Sequence, residues 1–573
     1  MDLDELKGIV QSARSKRPCD IVLSGGHIVN VFTGEIQKGD LGISSGHIAG
    51  IGDYEGTQVI DVRGKYLCPG FIESHIHIES SCLIPSELAR GVVPRGTTTL
   101  IADPHEIANV MGIEGIVAMH RDSLRSPLEV HFVLPSCVPA THLETSGAVL
   151  SAADLVGLID EEWVAGLGEV MNFPGVIAGL DDPLEKIRMA SRARKIIDGH
   201  APLVSGKELM AYLSAGIGSD HECTRLSEAR EKLENGMFIM IREGSGAKNL
   251  DELIGLVNEK NFWFTTFVGD DIQPGDILRR GHIDYFLRRA VGRGLDPVVA
   301  VRMATIVPAI RAGLTRVGAL APGRQADVVV VDDLSDFAVS LVFKGGRLVA
   351  RGGSALFDGQ GVCEMPRLPM RVAGFTMESL TVPFRSSRAR VIKVIEGQII
   401  TDELHLTLKR EGTGAVSDTS RDILKVAVIE RHRGTGNVAV GFVSGLGLAA
   451  GAIGSSVGHD SHNIIVVGTN DGDMYGAALR IIEMGGGQVI LRDGEVVSEL
   501  PLPVAGLMSD RPLSEVDSLM SRNLAAAREL GSLPENPFMT LSFLPLAVIP
   551  RLRITDRGLV DVSKFDFVPL YLE

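Results

Sequence analysis

His75-Ile76-His77 closes an apolar run that begins at Phe71, and alternation along a strand puts both imidazoles on one face. Two such rings can clasp one metal ion, although the pair alone is more often structural or accidental. Its weight comes from company. Glu169 closes a run ending Gly168-Glu169, His200 follows Asp198-Gly199, His221 follows Ser219-Asp220, and Asp270-Asp271 end the run from Phe262. Taken singly, each is a solvated loop side chain. Together, four histidines and two carboxylates (His75, His77, His200, His221, Glu169, Asp270) stand where apolar runs give way to loops, as a metal-ligating set would. Two divalent ions need several imidazoles, a bridging carboxylate and an open position for water. Glu169 is the natural bridge, having two oxygens to share. Coordination lowers the pKa of bound water to about 7, so hydroxide is available at neutral pH. Asp270 can ligate one ion and take the proton as that hydroxide attacks.

Eight apolar runs can position these residues: Phe71–His77, Thr97–Ala102, Val130–Leu134, Val164–Glu169, Lys195–His200, Ala215–His221, Met237–Arg242 and Phe262–Asp270. Helical patterns separate them, which predicts an α/β chain with a (β/α)₈ barrel over 69–315 whose chemistry gathers at the C-terminal strand ends. Short strand-like pieces precede it (Asp20–Leu23, His27–Val31, Leu41–Ile43, His47–Ala49) and others follow it (Ala326–Val331, Ser340–Gly346, Arg347–Val349). Pairing of the two flanks, 1–68 with 316–360, makes a small β-sandwich domain. A linker rich in Gly and Pro runs from Gly352 to about Pro369. The remainder, 370–573, reads as an α+β domain. Its strands are Val391–Val394, Val438–Val443 and Asn463–Val467; its helices are Gly476–Met484 and Leu513–Leu530.

Composition excludes several classes. With 573 residues the chain exceeds one core, and 45% apolar with 22% charged residues is globular rather than disordered. A formal charge of −16 argues against nucleic acid or an anionic membrane as partner and favours a neutral or cationic small molecule. The start, Met1-Asp2-Leu3-Asp4-Glu5, lacks the layout of a secretion signal. The longest uncharged run, Val438 to Val457, is rich in Gly and Ser and reads as a buried loop-and-strand core rather than a membrane span. The six cysteines (Cys19, Cys68, Cys82, Cys137, Cys223, Cys363) are scattered without a CxxC pair, which fits reduced thiols and a cytoplasmic setting.

The order HxH, acid, His, His, Asp on successive strands resembles the amidohydrolase superfamily, as do Cys68-Pro69-Gly70-Phe71-Ile72 entering the barrel and Pro322-Gly323-Arg324-Gln325-Ala326-Asp327 leaving it. Within it, nearly the whole chain is similar to the bacterial adenine deaminases. The stretches that carry this are HIHIESS at His75, DPHEIANV at Asp103, PSCVPATH at Pro135, GEVMNFPGVI at Gly168, DGHAP at Asp198, REGS at Arg242, GHIDYFLRRAV at Gly281 and SSVGHDSHNIIVVGTND at Ser455. The chain departs from the family at Gly269, where Thr is expected, and at Ile272-Gln273, where Arg and a polar residue are expected.

The resemblance implies adenine and water giving hypoxanthine and ammonia in purine salvage, two divalent ions of manganese or iron (zinc being admissible), and a homo-oligomer, a dimer. Deamination needs protons delivered to N1 and to the departing amine. The loop after the second strand offers Asp103, His105 and Glu106, with Glu106 as shuttle and His105 orienting it or polarising the base; alternatively Pro104-His105-Glu106 merely caps a helix. Glu79 and Ser80 are candidates to support the metals, or are structural. Arg242, Glu243 and Ser245 are candidate substrate contacts beside Asp271, whereas His282 and Asp284 read as structural. The knot His459-Asp460-Ser461-His462-Asn463 is either a satisfied buried network or a group that reaches over the barrel mouth. Rival readings are a cyclic-amide hydrolase, which usually bridges its metals with a modified lysine, an N-acetyl-sugar deacetylase without the long last domain, and a non-catalytic oligomeric interaction protein.

Overall fold

In the computed structural model, residues 2–358, 365–385, 388–395 and 398–572 are described. Cys363, part of the expected linker and the last two residues of the expected 316–360 flank lie outside them. The other five cysteines are buried and free.

Five parallel strands lie side by side in chain order: Phe71–His77, Thr97–Ala102, Glu129–Leu134, Val164–Val170 and Ile196–Gly199. Ser219–Asp220, Phe238–Arg242 and Thr265–Val268 form a second parallel set. Gly218 N–H donates to Ile197 C=O at 3.0 Å, joining the two sets, and Asp270-Asp271 returns to pair with Ile76 and His77. The parallel sheet therefore curls round on itself. All seven residues of Phe71–His77 and of Val164–Val170 are buried, as in a sheet covered on both faces.

Several strand bounds differ from expectation. The sixth is only Ser219–Asp220, and the fifth stops at Gly199, so His221 and His200 lie just beyond their strands. Phe262–Phe264 is a 3₁₀ turn capping the strand Thr265–Val268 rather than part of it. That strand breaks at Gly269, and Asp270 follows with φ 57°, in the left-handed region. A non-glycine residue held there costs roughly 1–3 kcal/mol, and such residues concentrate at functional sites.

The flanks meet as the sequence suggests. Val328–Val331 pairs antiparallel with Tyr66–Pro69, and one nine-stranded sheet contains strands from before and after the parallel sheet. A helix at Leu3–Ala13, absent from the strand-only reading of this region, packs against it. Asp2 accepts from the Asp4 and Glu5 N–H groups while Glu5 accepts from Asp2 N–H, a reciprocal cap that fixes the helix start.

The last part of the chain builds an eight-stranded sheet that includes Ala389–Val394, Val438–Ser444 and Ile464–Gly468, with helices Asp471–Met484 and Leu513–Glu529 packed on it. The uncharged run Val438–Val457 supplies two of its strands, Val438–Ser444 and Ala452–Ser455. No helix among the described residues is long and apolar enough to cross a membrane.

This region docks on the parallel-sheet region just past His77. Ser509 N–H donates to Cys82 C=O at 2.8 Å, and Ile84 N–H donates to Ser509 C=O at 3.3 Å. Leu513, Val516 and Met520 share a core with Leu88 and Val92 of the helix Pro85–Val92.

Candidate active site

The strand ends bring the expected ligands together around Glu169. Its Oε2 lies 2.7 Å from His200 Nδ1 and 3.1 Å from His221 Nε2; its Oε1 lies 3.4 Å from His77 Nε2. Two groups of imidazoles thus face the two oxygens of one carboxylate. Asp270 Oδ1 sits 3.2 Å from His77 Nε2 and 3.6 Å from His75 Nε2, and the His75 ring stacks on His221 at 4.3 Å. His77 is oriented by a 3.0 Å hydrogen bond from Nδ1 to the Asp103 carbonyl, which leaves Nε2 facing the carboxylates. Glu169 is held in turn: its N–H donates to Asp103 Oδ2 at 2.9 Å, and only glycine fits at 168, because a Cβ there would meet that same oxygen at 2.2 Å.

Glu106 lies outside this group but beside it. Its Oε1 lies 2.8 Å from Ser80 Oγ, which also lies 2.5 Å from Asp271 Oδ1, so the two carboxyls share one hydroxyl proton. Glu79 stays a layer behind, accepting from Ile107 N–H at 3.1 Å. His105 Nδ1 is 3.5 Å from Asp103 Oδ1 and 3.7 Å from Glu169 Oε1. From the last domain, Asp460 Oδ1 approaches His105 Nε2 at 3.7 Å and His462 Nε2 approaches Glu106 Oε2 at 3.6 Å. The 459–463 knot is buried but is not the satisfied network of the first reading, since Asp460 Oδ2 and His462 Nε2 have no hydrogen-bond partner; it faces His105 and Glu106, as the second reading expects. Its far side is tied down by Ser461 donating to Glu144 and by Asn463 donating to the Thr145 carbonyl at 2.8 Å.

Of the residues after the seventh strand, Arg242 joins the site, with Nη1 bonded to Glu222 Oε1 and 2.7 Å from Asp270 Oδ2. Glu243 does not; it accepts from Leu250 N–H at 3.4 Å and lines no part of the cavity. Ser245 donates to Asp276 at 2.6 Å, shaping the loop. His282 and Asp284 are buried away from the cavity, with His282 Nδ1 on Thr97 Oγ1 at 2.8 Å.

A cavity between the two regions holds residues of this site. Its floor is His77, His105, Glu106, Glu169, His200, His221 and Asp270, and its opposite wall is Ile399, Phe543, Leu546 and Ile549, with His459 and Asp460 at the join. Sequence reasoning missed Glu222 and this entire apolar wall. Glu222 had a signal, being an acid directly after His221 at a strand end. The wall had none, since apolar residues in an α+β domain read as core.

Burial and charge compete at every group. Burial depresses the His77 imidazole, but the hydrogen bond with Asp270 and the charges of Glu169 and Asp270 outweigh it and raise it well above its ordinary value. Burial would raise Glu169 and Asp270, yet His200 and His221 hold the first, and Arg242, His75 and His77 the second, well below the usual carboxylate range. Glu79 is pushed up to about 8, chiefly by burial and then by the charge of Glu106. His462 is driven well below its ordinary value by burial, with His459 and Arg431 adding to it, so it stays neutral.

Whether this set suits metal ions can be judged from atoms without partners. Both ring nitrogens of His75, His221 Nδ1, His105 Nδ1 and Glu106 Oε2 are buried and make no hydrogen bond. Buried polar atoms are ordinarily satisfied, and a group of orphaned imidazoles amid carboxylates fits a cation. His75, His77 and Asp270, and separately His75, Glu169 and His221, place ligand atoms within 4.8 Å of one another.

Comparison with known proteins agrees with this chemistry. The amidohydrolase family model matches residues 66–349, and the adenine deaminase C-terminal domain model matches 398–566. The adenine deaminase of Kosmotoga olearia is 48% identical over 98% of this chain and 98% of its own. The chain belongs to the adenine deaminase family. Two further members, from Methanothrix thermoacetophila and Carboxydothermus hydrogenoformans, are 49% and 47% identical, each over 99% of this chain and all of their own. The amidohydrolase family is metal-dependent, and the clusters above are candidate sites for a metal. Among solved structures, N-acetyl-D-glucosamine-6-phosphate deacetylase from Mycobacterium smegmatis is 18% identical with a TM-score of 0.44, covering 57% of this chain and 99% of that one, too slight a likeness to carry chemistry.

Proposed function

We propose that this protein hydrolyses adenine to hypoxanthine and ammonia. The observation that carries the reading is Glu169, whose two oxygens face separate imidazole groups on the floor of a cavity that Glu106 and Asp270 also line. Two ions of manganese or iron would be held by His75, His77, Glu169, His200, His221 and Asp270. When bound, such ions act as Lewis acids and lower the pKa of a coordinated water to about 7.

The protein's own groups handle the protons. Asp270, placed beside Arg242, accepts a proton from the water that attacks C6. Glu106 gives its proton to N1 as the ring loses aromaticity, takes the remaining proton from the new C6 hydroxyl and passes it to the amine as the C6–N bond breaks, and is restored by the proton that Asp270 holds. In net terms the two protons of the water end on N1 and on ammonia. His105, between Asp103 and Asp460, orients the ring nitrogens, and the apolar wall excludes bulk water. The same reading organises the chain as a (β/α)₈ barrel over 69–315, a β-domain from 1–68 and 316–360, and an α+β domain over 370–573.

Ammonia release from a panel of adenine, adenosine, cytosine and a cyclic amide, using manganese- or iron-loaded protein, tests the reading. Adenine is expected to be turned over far faster than the rest; turnover of cytosine or ring opening without adenine deamination overturns it.

A further inference from the structure

Arg553 is fully buried, and no carboxylate among the described residues forms an ion pair with it. A buried charge must be balanced in some other way. Here the guanidinium donates only to backbone carbonyls: Nε to Ile549 at 2.7 Å, Nη1 to Phe543 at 2.7 Å, and Nη2 to Ile399 at 2.8 Å and Pro550 at 2.9 Å. Three of these four residues, Ile399, Phe543 and Ile549, form the apolar wall of the cavity. Ile399 is 154 positions from Arg553 in the chain, so one side chain gathers two distant stretches into one surface. A planar fork with five donors can do this; an ammonium, a single point charge, cannot hold the same set. The Phe543 ring also lies 4.7 Å from that of His459, nearly parallel at 18°, which makes the wall continuous with the polar knot.

We propose that Arg553 is a positioning residue for the substrate: it holds Phe543, with Ile399 and Ile549, as the surface on which the face of a planar heteroaromatic base lies. This rests on the reading of the cavity as an adenine site. The arginine acts through Phe543, and that coupling separates positioning from a general role in stability.

The test is a cycle of Arg553→Lys, Phe543→Ala and the double variant in metal-loaded full-length enzyme, reading kcat and KM for adenine, Ki for hypoxanthine and metal content. Base–aromatic stacking leads to a rise in KM and Ki of roughly ten- to a hundredfold in Phe543→Ala, with kcat within about threefold. Arg553→Lys is expected to raise both by several-fold with metal content unchanged. The double variant should be no worse than Phe543→Ala, because the arginine then has no ring to position. Unchanged KM and Ki in Arg553→Lys, or effects that multiply in the double variant, overturn the inference. So does loss of the folded chain in both Arg553→Lys and Arg553→Met, which assigns the residue to folding alone. A wild-type enzyme inactive on adenine overturns the functional reading first, and this inference with it.

Discussion

The floor and the wall of the cavity are built on opposite terms. The floor is made of charged and polar side chains at and just past strand ends; His77 is aimed by the Asp103 carbonyl and Glu169 is held by the Asp103 carboxylate, while several other atoms have no hydrogen-bond partner. The wall is made of apolar side chains whose own chemistry is inert and whose place is set by hydrogen bonds to their backbone. On the proposed reading, floor residues govern whether the reaction runs and wall residues govern how well the base is held. Substitutions should divide along that line, floor changes lowering kcat and wall changes raising KM.

Glu169→Gln is the severest way to probe the division. It removes the charge shared between the two imidazole groups, so bound metal should fall below two ions per chain by elemental analysis and ammonia release should fall to background. Metal retained at full occupancy would remove Glu169 as the bridge. Glu106→Gln comes next. Because Glu106 stands beside the ligand group, the variant should keep its metal and lose about 10²–10⁴-fold in kcat. Turnover near the wild-type rate would make Glu106 a helix-capping residue.

Asp460→Asn sits where floor and wall join. It deletes one of the carboxylates flanking His105 while leaving Asp103 in place. A loss of about tenfold in kcat/KM, roughly 1.4 kcal/mol, is expected, and it should fall on kcat if the knot belongs with the floor. A change confined to KM would assign it to the wall.

Glu129→Gln is the control outside both halves, and its effect should be the smallest. Glu129 Oε2 accepts from Lys344 at 2.7 Å, and Oε1 lies 3.0 Å from His131 Nε2, tying the third parallel strand to the strand Val339–Lys344. Burial would raise this carboxyl, but His131 and Lys344 hold it well below its ordinary 4.5. A depressed folded-state pKa contributes stability that is complete above about 4.5 and vanishes as the pH falls through the folded value. With the side chain 25% exposed, solvent screening limits the contribution to about 1 kcal/mol. The variant should melt about one degree lower at pH 7 by calorimetry, with the gap closing below pH 4, and adenine turnover should be unaltered. A gap that widens on acidification would contradict the ion pair.

The same division explains what could be read before the structure. His75, His77, Glu169, His200, His221 and Asp270 were legible because a polar residue at the end of an apolar run is an exception, and exceptions repeated at strand after strand mark a rim. The pairing of the flanks was legible from two sets of short strands too small to stand alone. Residues such as Ile399, Phe543 and Ile549 obey the ordinary rule for a core, and nothing in their types separates a side chain that packs inside a domain from one that faces a cavity. Arg553 was illegible for a different reason: its partners are carbonyls, which every residue carries. Glu243 and Ser245 show the converse error, since adjacency to Arg242 in sequence did not bring them into the cavity.

The 459–463 knot is pinned to the loop that follows the third parallel strand, with Ser461 reaching Glu144 across 317 positions of chain. On the ribosome the floor is therefore complete long before its cover exists. Between the emergence of Asp271 and that of Ile549, 278 residues must be added, roughly a quarter of a minute to a minute at ordinary translation speeds. During that interval the strand-end carboxylates and imidazoles stand open to water and to any cation that passes, and the floor has no wall against which to hold a base. Competence then arrives abruptly, near the end of synthesis, when the final domain closes over residues made hundreds of positions earlier.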